Sequence, residues 1–272
     1  MSPYRKKDKL TICVVDTETT MMNEFSHQVF DFAYVIGNVL DPDCEPLERS
    51  FLIDEILDEP KYFDWTTPKG EPKGKRRKFA TDSRYGETLK RRTKTKKGVS
   101  WDFALDYFYK DCSRMGVDVF TAYNVTFDIN AIRRTQDQLN DKRFRMPNNM
   151  NIMCLMDIAQ TKVINQDFHN WFNKLEPYLQ NQFTTDNDNI SFSAECVFRY
   201  WFDNYYYNEQ HTALRDARME WKLAVKMFER WEKDIKKEFI NYVVKLGWQT
   251  VNKIPSANKK LKLRKEKRNL LA

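Results

Sequence analysis

An α/β fold with a mixed central sheet is what this chain of 272 residues predicts, on three observations. Residues 10–15 (Leu10-Thr11-Ile12-Cys13-Val14-Val15) form a continuous apolar run, as expected of a strand buried on both faces. Two more strand candidates follow at residues 29–39 and 50–53, joined by connections short enough for an antiparallel meander. Beyond residue 100 helical and strand patterns alternate, which implies parallel strands with helices packed on the sheet.

The elements read as follows. In residues 29–39 the apolar side chains are Phe30, Phe32, Ala33, Tyr34 and Ile36, and Ser50-Phe51-Leu52-Ile53 closes the meander. Residues 61–97 break the pattern: Pro68 and Pro72, with Gly70, Gly74 and Gly86 among many charges, predict an extended loop or partly disordered insertion. Ser100 then caps a helix in which Trp101, Leu105, Phe108, Cys112 and Met115 recur at helical spacing. Residues 117–122 predict a strand, 127–139 a helix, and 151–157 a strand ending in a carboxylate at Asp157. Residues 165–189, rich in Asn, Gln and Asp with embedded aromatics, support no assignment. A helix starts near Ser191 or Ser193 and runs through Phe202. The last one carries Ala217, Trp221, Ala224, Phe228 and Trp231 on one face.

Composition bounds the function. An apolar fraction of 41% suits a globular protein, and only 7 glycines argue against Gly-rich phosphate loops as the binding device. Without an apolar run long enough to span a membrane or a signal-peptide core, the expectation is a soluble, cytoplasmic protein. The five cysteines (Cys13, Cys44, Cys112, Cys154, Cys196) are scattered, with neither a disulfide framework nor a zinc knuckle among them, which fits a reducing compartment. The net charge of +7 is unevenly placed. In residues 69–97, 13 Lys and Arg stand against 3 Asp and Glu; in residues 258–272 the ratio is 7 to 1. An acidic body with basic appendages suits a carboxylate metal site serving a polyanion. The C-terminal run reads equally as a solvated tail.

Three short motifs carry the chemistry. Asp16-Thr17-Glu18-Thr19-Thr20 follows the first apolar run, and residues two apart on a strand face one side, so Asp16 and Glu18 project together. A carboxylate pair there is costly unless it is matched by an opposite charge or a metal. In Tyr123-Asn124-Val125-Thr126-Phe127-Asp128 the carboxylate falls in the first turn of a helix, where the dipole alone also favours an anion. In His211-Thr212-Ala213-Leu214-Arg215-Asp216 a spacing of five separates the two side chains on one helix. His211 is therefore expected on the loop and Asp216 in the first helical turn. An imidazole, titrating near neutrality, is the economical base for activating water. His27 and His169 stand beside no such motif and read as structural.

Together, and in this order, the three motifs resemble the catalytic set of the DnaQ-like (DEDDh) 3′→5′ exonucleases of the RNase H-like superfamily. The resemblance covers residues 10–231 apart from the basic insertion. It implies an RNase H-like mixed sheet in an exonuclease domain spanning 1–245, with an insertion at about 61–98 and a basic tail at 246–272. It also implies two divalent cations, Mg²⁺ or Mn²⁺. Asp16, Glu18 and Asp216 would ligate the first and Asp16 the second, with Asp128 holding metal-bound water and His211 as the general base. The implied reaction releases nucleoside 5′-monophosphates from a free 3′ end, and the leading expectation is a single-stranded substrate, with DNA modestly preferred over RNA. Thr19, Thr20, Met21, Tyr123, Asn124 and Phe127 become candidate substrate contacts, and Lys75, Arg76, Arg77 and Lys78 a nucleic-acid arm. Two positions depart from the family pattern: Met21-Met22 stand where Gly is common, and Tyr123 where His often precedes Asn. Tyr123 reads either as a stacking residue or as a core aromatic. An exoribonuclease, a proofreading subunit bound to a polymerase or another replication or repair protein, and a catalytically silent nucleic-acid-binding module are the alternatives.

Overall fold

The computed structural model describes residues 9–20, 27–41, 43–58, 98–139, 146, 150–184, 189–204, 207 and 211–240. The arm residues Lys75, Arg76, Arg77 and Lys78, the tail at 246–272 and Met21 lie outside them. One five-stranded sheet organises the described residues, in the order β3-β2-β1-β4-β5. Strands β1 (Thr11–Thr19), β2 (Val29–Asn38) and β3 (Leu47–Leu52) form the antiparallel meander. Strands β4 (Val119–Ala122) and β5 (Asn151–Cys154) run parallel to β1 on its other side. This is the mixed sheet flanked by helices expected of an RNase H-like fold.

Alternation along β1 divides the core. Cys13 and Val15 turn to a layer with Phe30, Phe32, Tyr34 and Ile36 of β2, covered by α2 (Trp101–Met115) and α3 (Val125–Leu139). Ile12 and Val14 turn to the opposite layer, covered by α7 (Ala194–Phe202) and α8 (Ala213–Ile235). Before these come the short α1 (Asp54–Leu57), α4 (Leu155–Ile158) with a π-helical continuation (Ala159–Val163), α5 (Gln166–Phe172) and α6 (Pro177–Gln182).

The sequence signal at the start of α2 holds, since Ser100 accepts a hydrogen bond from the Phe103 N–H; Gly116 ends the helix with a φ of 64°, where a side chain is strained. The predicted strand at residues 151–157 is corrected. β5 stops at Cys154, and the Met156 N–H turns to the Tyr123 carbonyl at 2.8 Å, so Asp157 lies on α4 rather than at a strand end. Residues 165–184 fold into two short helices over a small cluster of Phe168, Phe172, Leu175, Leu179, Phe183 and Cys196. Along α8, Ala217, Trp221, Ala224 and Phe228 are buried as expected, while Trp231 leaves helical geometry (φ −137°, ψ 32°).

α8 packs on β1 and β2, closely at Gly37, where β2 carries no side chain. A Cβ on Gly37 would lie 2.8 Å from the Trp221 ring and 3.1 Å from the Pro46 Cβ. No described helix is long and apolar enough to cross a membrane.

Candidate metal centre

The site forms at the C-terminal end of β1. Asp16 and Glu18, two apart, turn to the α8 side of the sheet, while Thr17 between them turns to α3. The Thr17 hydroxyl donates to Asp128 Oδ1 at 2.8 Å, across 111 residues of sequence. Asp128 is buried in the first turn of α3, as the motif predicted. Between Glu18 and Thr19 the pairing with β2 slips by one residue, an irregularity of the kind that re-aims side chains beside a site.

From the other side comes the start of α8. His211 sits on the preceding loop with a φ of 47°, a left-handed conformation uncommon for a residue bearing a side chain, and Asp216 is buried in the first turn. Glu18, His211 and Asp216 present ligand atoms that all lie within 4.8 Å of one another. The structure therefore groups Glu18, His211 and Asp216 at the α8 entrance, and Asp16 feels the charges of Glu18, Asp128 and Asp216 from β1, α3 and α8.

Electrostatics there oppose the metal-free state. Burial raises the Asp16 carboxyl well above the usual carboxylate range. The charges of Glu220, Asp128, Glu18 and Asp216 raise it further, in that order. Asp128 is pushed up to about 7 by burial, against hydrogen bonds from the Thr17 hydroxyl and from backbone N–H groups. Carboxylates crowded until one is driven to hold a proton are relieved by a cation. The donor set is hard oxygen with one imidazole, which fits a hard divalent cation.

Two carboxylates that sequence reasoning missed belong to this arrangement. Asp31 lies opposite Glu18 on β2, is buried, and accepts hydrogen bonds from the Ala213 N–H and the Ser50 hydroxyl, each at 3.3 Å. It fixes the first residue of α8 to the sheet and so places His211 and Asp216. Glu220, one turn beyond Asp216, accepts from the Tyr123 N–H at 2.9 Å and ties α8 to the turn that leads into Asp128. Each had a faint signal: Asp31 is a carboxylate between two aromatics of a buried strand, and Glu220 shares the inner face of an amphipathic helix with Asp216.

The remaining candidates divide between rim and interior. Asn124 is exposed on the turn, and Phe127 is 37% exposed beside it. Thr19 and Thr20 are buried, and the Thr20 hydroxyl accepts from the Gln28 N–H at 3.3 Å. Tyr123 is buried against the α8 layer, and its hydroxyl donates to the Phe192 carbonyl. Its ring lies in the core beneath the site, on the second of the two readings.

No family model and no curated protein matches the sequence. Solved structures do. One is an Exonuclease I from Methylocaldum szegediense, at 13% identity over 82% of this chain and 41% of that one, with a TM-score of 0.47. Another is cell-death related nuclease 4 (CRN-4), at 15% identity over 80% of this chain and 64% of that one, with a TM-score of 0.49. The chain thus spans less than two thirds of the length of either.

Proposed function

We propose that the protein is a metal-dependent 3′→5′ exonuclease that releases nucleoside 5′-monophosphates from single-stranded DNA. What supports this reading is the Glu18, His211 and Asp216 cluster, with Asp16 under the charges of Glu18, Asp128 and Asp216, from segments up to 200 residues apart. Asp16, Glu18 and Asp216 would hold the cations, with Asp128 on the α3 side. Two divalent ions, when bound, offset the carboxylate charge and stabilise the attacking and leaving oxygens of an in-line displacement at phosphorus.

The chain's own residues supply the rest. His211, on the loop just ahead of α8, takes the proton from the attacking water. Water oxygen bonds to phosphorus, the phosphorus–O3′ bond of the preceding nucleotide breaks, and that oxygen leaves to be protonated by solvent. Asp31 and Glu220 position α8 against β1 and the Tyr123 turn without touching substrate. Asn124, exposed on the turn at the rim, meets the terminal nucleotide.

Matched 5′-labelled DNA and RNA strands, single and double, test the proposal. The expected result is a ladder of products shortened from the 3′ end of single-stranded DNA, abolished by EDTA and restored by Mg²⁺ or Mn²⁺. Undiminished cleavage in EDTA would overturn it. Faster digestion of RNA would replace the substrate and leave the chemistry.

A further inference from the structure

Phe127, Asn130 and Arg134 stand three and four residues apart and so line one outer stripe of α3, with Asn124 ahead of them on the turn. The neighbouring Asp128 turns inward to Thr17. The stripe therefore begins at the carboxylate set and runs away from it for about 10 Å over seven residues of helix.

His27, just ahead of β2, joins its two ends. Its ring meets Phe127 edge-on, with centroids 5.3 Å apart at 66°, and its Nδ1 lies 2.8 Å from Arg134 Nη1. A guanidinium only donates, so His27 Nδ1 must carry a lone pair and the ring must be neutral, with its proton on Nε2. Burial, and then the charge of Arg134, lower the His27 pKa in agreement. An imidazole acceptor orients a guanidinium without cancelling its charge. By contrast, Arg49 and Arg114 both bind Asp111, Arg199 binds Glu195 and Arg218 binds Glu48. Arg134 is also exposed.

We propose that this stripe binds the strand upstream of its reacting 3′ end. An unpaired base stacks on the Phe127–His27 pair and a backbone phosphate meets the Arg134 guanidinium. An exposed aromatic face beside a fixed cation is the recognition chemistry of single-stranded nucleic acid, because a base offers its π-face only when unpaired. The inference rests on the nuclease reading above and adds to it the residues that select a single strand.

Steady-state hydrolysis of a 5′-labelled oligothymidylate by the full chain in Mg²⁺, over a range of salt, is the test. Arg134→Ala should raise KM by about tenfold, the worth of one charged hydrogen bond, with kcat held within about twofold. It should also make the log–log salt slope of kcat/KM shallower by roughly 0.7. Arg134→Lys should restore the slope and most of KM. Arg114→Ala, which removes the same charge from α2, should leave both at the parent values.

Parent KM and slope in Arg134→Ala would overturn the proposal, as would equal effects from Arg114→Ala, which would make the effect a general field. If the parent hydrolyses no strand with either metal, it is the nuclease reading that fails. Fluorescence anisotropy with the same strand then decides the stripe: weaker binding by Arg134→Ala upholds it, and unchanged binding ends it.

Discussion

Burial and four neighbouring carboxylates act on Asp16 in one direction, so without metal its carboxyl holds its proton well above the usual range. Asp128 titrates at about 7 in the fold, against roughly 3.9 for an unperturbed Asp. Between those values the native state binds more protons than the unfolded chain. Metal-free stability is therefore greatest below about pH 4 as far as these groups contribute, and is lost as pH rises through the native titration. Thermal melts in EDTA should give a higher Tm at pH 5 than at pH 8, and Asp128→Asn should shrink the difference. An unchanged difference in that variant would remove Asp128 as a source. With metal, Asp16→Ala and Asp216→Ala should lose nearly all nuclease activity while their metal-free forms melt no lower than the parent, because each substitution removes repulsion. His211→Ala should slow single-turnover hydrolysis by about 10²–10⁴-fold, the usual worth of a positioned base. A rate unchanged across pH 6–9 would assign the proton transfer to another group.

At the scale of elements, α8 is what completes the site, and its seat depends on three small details. Gly37 leaves room for Trp221, Asp31 receives the first helical N–H, and Glu220 receives the Tyr123 N–H. Gly37→Ala must displace the indole or Pro46 and should cost about 1–3 kcal/mol, read as a lower urea midpoint at constant slope. Glu220 separates its two effects cleanly. Glu220→Gln keeps an oxygen for Tyr123 and removes a charge from Asp16, so the metal-free protein should be at least as stable as the parent. Glu220→Ala strands a buried N–H and should destabilise by about 1–3 kcal/mol. Equal midpoints for the two variants would show that the tie contributes nothing. On the opposite layer, Asp111 accepts from the Tyr34 hydroxyl at 2.9 Å and binds Arg49 and Arg114. That network sets α2 on the meander, away from the chemistry.

For the whole molecule, a site that requires a free 3′ terminus should leave a closed single-stranded circle intact, and digestion of circles would instead indicate an endonuclease. The +7 net charge arises from basic segments appended to an acidic body. Neutralising Lys75, Arg76, Arg77 and Lys78 together should flatten the salt dependence of binding to a long strand and lower processivity. The rate on a saturating short strand should remain, since the carboxylates sit on β1, α3 and α8. Parent salt dependence in the quadruple variant would transfer the role of those charges to a protein partner.

Periodicity was enough to read the elements that carry the motif carboxylates and His211. A strand repeats every two residues, so Asp16 and Glu18 had to share a face; a helix repeats every 3.6, so His211 and Asp216 could not both lie within one turn. Local chemistry likewise identified the Ser100 cap and the buried faces of α2 and α8. It failed where an element is shorter than its own signal. α5 and α6 have only 7 and 6 residues and are ordered by packing on α7. β5 ends where the Tyr123 carbonyl captures the Met156 N–H, an event set by a neighbouring segment. Asp31, Glu220 and Arg134 gain their roles from partners 182, 97 and 107 residues away. A side chain's own neighbourhood fixes its direction from the backbone, and that is local; what it meets there is decided only when distant segments pack.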